Sequence, residues 1–174
     1  MKNGFAAPLI LLVVTILTIV AFASNIVFSP KSVQSNQKIT ANPVCLSADT
    51  LIDTPDGLVA VQDFKAGMKV WTVNEKNQRE QAVILKTSQS KVPVDHQMIH
   101  LILKDGRSLL GSLNHRLADG RRLADLQIGA NVDNSLVEKV EKLPYKDEFT
   151  YDILPAGSTG KYFANGIALQ STLK

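Results

Sequence analysis

Hydrophobic and polar positions divide this chain into regions of different character. From Phe5 to Phe28 the residues are mainly Leu, Ile, Val, Ala and Phe, and no charge falls between Lys2 and Lys31. A helix needs about 20 such residues to cross a bilayer, and core helices rarely run so far without a polar face. The pattern therefore predicts an N-terminal hydrophobic helix within residues 1–28, a signal anchor or a signal peptide. Residues 29–44 are rich in Ser, Asn, Gln and Lys without periodicity, the composition of a flexible linker. From Cys45 onward, short β-rich runs alternate with turn signals. The runs are Leu58 to Val61, Val70 to Val73, Ala82 to Leu85, Met98 to Leu103 and Phe149 to Leu154. Asp56-Gly57, Asp105-Gly106, Asp119-Gly120 and Asn165-Gly166 are dipeptides that favour the positive φ of tight hairpins. Leu123 to Leu126 is the one candidate for a helical turn. Residues 45–174 are expected to form one all-β domain.

That domain carries an internal repeat. Asp56-Gly57 followed by Asp63-Phe64-Lys65-Ala66-Gly67-Met68-Lys69-Val70 recurs as Asp119-Gly120 followed by Asp125-Leu126-Gln127-Ile128-Gly129-Ala130-Asn131-Val132. A hairpin turn leads each time into a D-h-x-x-G-x-x-V segment, where h is apolar. A duplicated β unit predicts two similar subdomains related by a pseudo-two-fold axis.

Composition sharpens this picture in a few places. At 174 residues with a net charge of +3, and with no Lys/Arg cluster among aromatics, nucleic-acid binding has no footprint. The single cysteine, Cys45, cannot form an internal disulfide. His96 and His100 stand four apart, which on a strand is about 13 Å, too far to share one ion. No metal and no cofactor are expected. At the N-terminus, Ala21-Phe22-Ala23 is a site of the kind signal peptidase cuts, whereas the length of the apolar run favours an anchor. The expectation is a single-pass membrane protein held by residues 5–28 with its domain on the extracytoplasmic side, or a secreted one if cut after Ala23.

The stretch Cys45-Leu46-Ser47-Ala48-Asp49-Thr50-Leu51-Ile52-Asp53-Thr54-Pro55-Asp56-Gly57 resembles the first block of inteins and other Hint (hedgehog/intein) domains, in which a cysteine opens the domain. Ser112-Leu113-Asn114-His115 is similar to their T-x-x-H block, with serine for threonine. Tyr151-Asp152-Ile153 and Tyr162-Phe163-Ala164-Asn165-Gly166-Ile167 look like the closing blocks. The resemblance covers Cys45 to about Thr172. It implies the Hint fold and an N–S acyl shift, in which the Cys45 thiol attacks the Val44 carbonyl and turns the Val44–Cys45 amide into a thioester. His115 would be the proton-transfer residue, Ser112 would orient the scissile peptide, and Asp152 would modulate protonation of thiol and amide.

The departures narrow that function. Splicing inteins end in His-Asn before Cys, Ser or Thr, where this chain has Gln170-Ser171-Thr172, and splicing is not expected. The aspartate with which hedgehog-type domains activate a sterol is replaced by Lys86-Thr87. The reading is a self-processing domain, acting as a monomer on its own N-terminal segment. It would cleave at Val44–Cys45 by a single-turnover cysteine reaction, and Val44, being β-branched, would slow it. The rivals are a degenerate, non-catalytic, membrane-tethered Hint-fold binding module and a processing module of a toxin or effector system.

Overall fold

The glycine dipeptides do what their φ requirement predicts. Gly57, Gly106, Gly120 and Gly166 all take positive φ, and Asn165 joins Gly166 there to close a two-residue hairpin. In the computed structural model, which describes residues 44–174, strands fill the intervals. They run β1 Leu51–Thr54, β2 Gly57–Ala60, β3 Lys69–Val73, β4 Arg79–Lys91, β5 Gln97–Leu103, β6 Ser108–Ser112, β7 Arg116–Leu117, β8 Asn131–Val132, β9 Ser135–Pro144, β10 Phe149–Pro155, β11 Lys161–Ala164 and β12 Ile167–Gln170. The described chain is all-β, as the turn spacing predicts. Two 3-10 turns interrupt it, at Leu123–Asp125 where one is expected and at the repeat-related Val61–Asp63. Among the described residues no helix is long and apolar enough to cross a membrane. The apolar stretch 5–28, with the helix, anchor and linker predicted before Val44, lies outside the described residues.

The repeat is a repeat of hydrogen bonds. Val61 N–H donates to the Thr50 carbonyl at 2.8 Å, and Leu123 N–H to that of His115 at 2.9 Å. Gly67 donates to Ile84 and Gly129 to Val137, both at 2.8 Å. In each copy the apolar residues of the unit are buried: Val61, Phe64 and Val70 in one, Leu123, Leu126 and Val132 in the other. The halves meet reciprocally, since Ser112 N–H donates to Cys45 at 2.9 Å and Ser47 N–H to Leu110 at 3.2 Å. Leu46 and Gly111 bridge antiparallel between those two bonds, on the pseudo-two-fold itself. A side chain at Gly111 would meet Leu123 Cδ1 of its own half at 2.7 Å and Leu46 Cδ2 across the seam at 3.4 Å, so glycine is what makes room for the buried Leu123 beside the seam.

The long strands cross from one half to the other. β4 is followed by β5, which pairs with β9; β9 is followed by β10, which pairs with β4. Three sheets result, ordered β2-β1-β11-β12-β7, β10-β4-β3 and β6-β5-β9-β8. The main core fills the space between them, including Leu46, Ile52, Leu101, Leu109, Ile153, Tyr162 and Leu169, and Val92, Met98 and Tyr145 form a smaller cluster beside it.

Candidate functional site

Cys45 enters this arrangement beside β10. Leu46 pairs with Tyr151 through bonds of 2.8 and 3.0 Å in both directions. Because side chains alternate along a strand, Cys45 then faces the side of β10 that carries Thr150 and Asp152. The Cys45 thiol is almost fully buried. Burial, and after it the charge of Asp152, push its pKa up to about 11, while the hydroxyls of Thr150, Ser90 and Ser88 pull the other way.

The second predicted block lies against the same peptide. Ser112 ends β6, and its Oγ accepts a hydrogen bond from Cys45 N–H at 3.1 Å. A tight turn follows, closed by His115 N–H donating to the Ser112 carbonyl at 2.9 Å, and it drops His115 into the interior with 0% exposure. The imidazole lies beside the Val44 carbonyl and feels the Asp152 charge. Both favour its protonated form, yet burial outweighs them and its pKa is lowered. Its Nε2 lies 3.5 Å from the Tyr162 hydroxyl, and its Nδ1 is buried with no hydrogen-bond partner.

Asp152 is the hub. Its side chain has no exposure and accepts four hydrogen bonds: Oδ1 from Tyr162 Oη at 2.6 Å and Ile153 N–H at 2.8 Å, Oδ2 from Thr172 N–H at 2.7 Å and Thr172 Oγ1 at 2.6 Å. Burial, followed by the Asp152 charge, holds the Tyr162 hydroxyl far above its ordinary range, so it remains a donor. Thr172 Oγ1 also lies 3.0 Å from the Val44 carbonyl oxygen. One hydroxyl proton therefore serves two acceptors, a carboxylate and the carbonyl of the peptide that would be cut.

The structure thus brings Val44, Cys45, Ser112, His115 and Asp152 together around one peptide bond. It adds residues that the sequence reading did not assign. Tyr162 lies in a closing block, but nothing in its spacing says that it bonds Asp152. Thr172 reads in sequence as a remnant beyond the terminal block and is in the structure a contact of the Val44 carbonyl. His96, considered only as a metal partner of His100, packs with Nε2 3.5 Å from Ser112 Oγ. Gln170 and Ser171 instead tie the last strand to the Thr159–Gly160 loop. A cavity of about 420 Å³ opens beside Val44, His96, Ser112 and Asn114.

No protein-family model matches the sequence, and no curated protein does. Solved structures do. The crystal structure of a DnaB intein from Synechocystis sp. PCC 6803 aligns with a TM-score of 0.64 at 19% identity, over 75% of this chain and 100% of that one. The solution structure of a bacterial intein-like domain from Clostridium thermocellum aligns at 0.62 and 22% identity, over 74% and 98%. The gp41-1 intein aligns at 0.58 and 20% identity, over 74% and 98%. The fold of this chain is the intein-like Hint fold, as the sequence blocks imply.

Proposed function

We propose that this chain processes itself at Val44–Cys45 by Hint-type chemistry, releasing residues 45–174 from the segment before them. The observation that carries the reading is that this one peptide is held from both ends, its N–H by Ser112 and its carbonyl oxygen by Thr172, beside a buried cysteine and a buried histidine. An amide resists attack because resonance keeps its carbonyl electron-rich and its nitrogen a poor leaving group. The Thr172 hydroxyl polarises the carbonyl as charge develops on its oxygen. His115, kept neutral by burial and with a free Nδ1, carries a proton from the thiol to the nitrogen.

The atoms balance in two steps. Cys45 Sγ bonds to the Val44 carbonyl carbon, the carbon–nitrogen bond breaks, and the thiol proton ends on the new Cys45 amine. Water then attacks the same carbon and the carbon–sulfur bond breaks. One water proton returns to sulfur, and Val44 is left with a free carboxyl group. No cofactor enters either step.

The test is a time course of the purified full chain, read by intact mass, with and without dithiothreitol. Thiols should accelerate separation of residues 1–44 from the rest, because thiol–thioester exchange outruns hydrolysis. Val44→Gly should speed it further by unshielding the carbonyl. A chain that never cleaves with thiol present overturns the reading and leaves the non-catalytic binding module in its place.

A further inference from the structure

Ser88 presents an accounting problem. Its Oγ is enclosed and has no hydrogen-bond partner, a state that costs stability and calls for a reason. The strand register supplies one. Ser88 stands opposite Asp152 and Ser90 opposite Thr150, so one face of the β4–β10 pair presents Ser88, Ser90, Thr150 and Asp152 together. That is the face toward which Cys45 projects, and the nearness of the three hydroxyls favours the charged form of its sulfur. A neutral thiol has little use for three donors, because its sulfur is a weak acceptor. A thiolate can accept from all of them.

We propose that the hydroxyls of Ser88, Ser90 and Thr150 form a cradle that holds the Cys45 sulfur as a thiolate, both when it attacks and when it leaves. The purpose of the cradle rests on the self-processing reading; its existence does not. In the second step the electron pair of the breaking carbon–sulfur bond stays on sulfur. The cradle stabilises that charge until a proton from the attacking water reaches it. The charged and titratable groups that act on the sulfur are Asp152 from β10 and Tyr162 from β11, with His115, from the turn after β6, beside the Val44 carbonyl and within reach of the Asp152 charge. The Asp152 carboxylate opposes a second negative charge, and the cradle offsets it with neutral donors that do not titrate themselves. The orphaned Ser88 Oγ is then a donor in waiting, oriented for charge that appears only during reaction.

Cys45 is the single cysteine, so alkylation by iodoacetamide adds mass at one place and reports thiolate at that place. The experiment follows the alkylation rate of the full chain over a pH series for the parent, Ser88→Ala and Thr150→Val. Each variant should react about 10- to 100-fold more slowly at a given pH below the thiol's midpoint, the scale of one lost hydrogen bond to a charge. The melting temperature of Ser88→Ala should rise, since an unpartnered hydroxyl is removed. A purely structural role would loosen the site and make alkylation faster, the opposite sign. Parent-like or faster alkylation in both variants overturns the cradle. The cleavage assay separates the two readings. Slower alkylation in a chain that never cleaves keeps the cradle and discards self-processing. Cleavage with unaltered alkylation does the reverse.

Discussion

The turns Ser47–Thr50 and Ser112–His115 are the same piece of backbone put to different use. Each is closed by its last N–H donating to the carbonyl of its opening serine, at 3.1 and 2.9 Å, and each passes its last carbonyl to the 3-10 turn of its own half. In the first, Ser47 Oγ and Thr50 Oγ1 bond to each other at 2.9 Å, and the side-chain polarity is closed within the turn. In the second, Ser112 Oγ turns outward to the Cys45 N–H and the threonine position is a histidine. The halves share a scaffold, and one side-chain replacement with one reoriented hydroxyl separates a turn closed on itself from the turn that holds the Cys45 peptide. A duplicated fold makes site and control in the same molecule.

Four substitutions put that contrast to the test. Cys45→Ala should abolish cleavage altogether, since no other thiol is present to replace it; intact mass after prolonged incubation with dithiothreitol should show only the uncut chain. His115→Thr copies the first turn into the second. It should slow cleavage by about 10²–10⁴-fold while leaving the fold intact by circular dichroism, the scale of losing a positioned acid or base. Gly111→Ala places a methyl group on the pseudo-axis against buried Leu46 and Leu123, and should lower stability by about 1–3 kcal/mol in urea unfolding. Ser47→Ala should leave the cleavage rate within about twofold and cost about 1–3 kcal/mol, because it strips the buried Thr50 hydroxyl of its partner. A large rate effect there would mean that the two turns are coupled and the contrast is false.

Acidity offers a subtler probe. The His115 pKa is lowered from 6.5 in the folded chain, so the unfolded chain takes up this proton first as pH falls. The His115 contribution to stability is therefore complete above pH 6.5 and is lost progressively as pH drops toward the lowered folded value. Melting temperatures taken through this range should fall more steeply for the parent than for His115→Gln. Equal slopes would mean that the imidazole is not buried as described.

How much of this was legible in the sequence follows from which forces are local. The turns were legible because positive φ is a property of one residue; the exceptions are Asn77 and the pair Asp133-Asn134, which take positive φ with no glycine to advertise it. The repeat and the residues Cys45, Ser112, His115 and Asp152 were legible because both were written as motifs. The length of β4 was not. Residues 86–90, Lys-Thr-Ser-Gln-Ser, look like loop, yet they are strand, since the face they partly bury lines the thiol rather than the apolar core. Strand pairing across the halves has no local signature either, because the partner is chosen by the whole fold. Thr172 and Tyr162 were hidden for the same reason: their roles lie entirely in which distant carboxylate they meet.

The contact between Thr172 and the Val44 carbonyl joins positions 128 residues apart. A ribosome adding about 5–20 residues per second needs roughly 6–26 s to travel that distance. Throughout that interval Cys45 has left the peptidyl-transferase centre but the Val44 carbonyl lacks its Thr172 contact, and neither Asp152 nor Tyr162 yet exists for most of it. Synthesis itself is thus a timer. The bond before Cys45 is chemically ordinary while the chain grows, and the bonds that single it out are complete only after the last strand has been made.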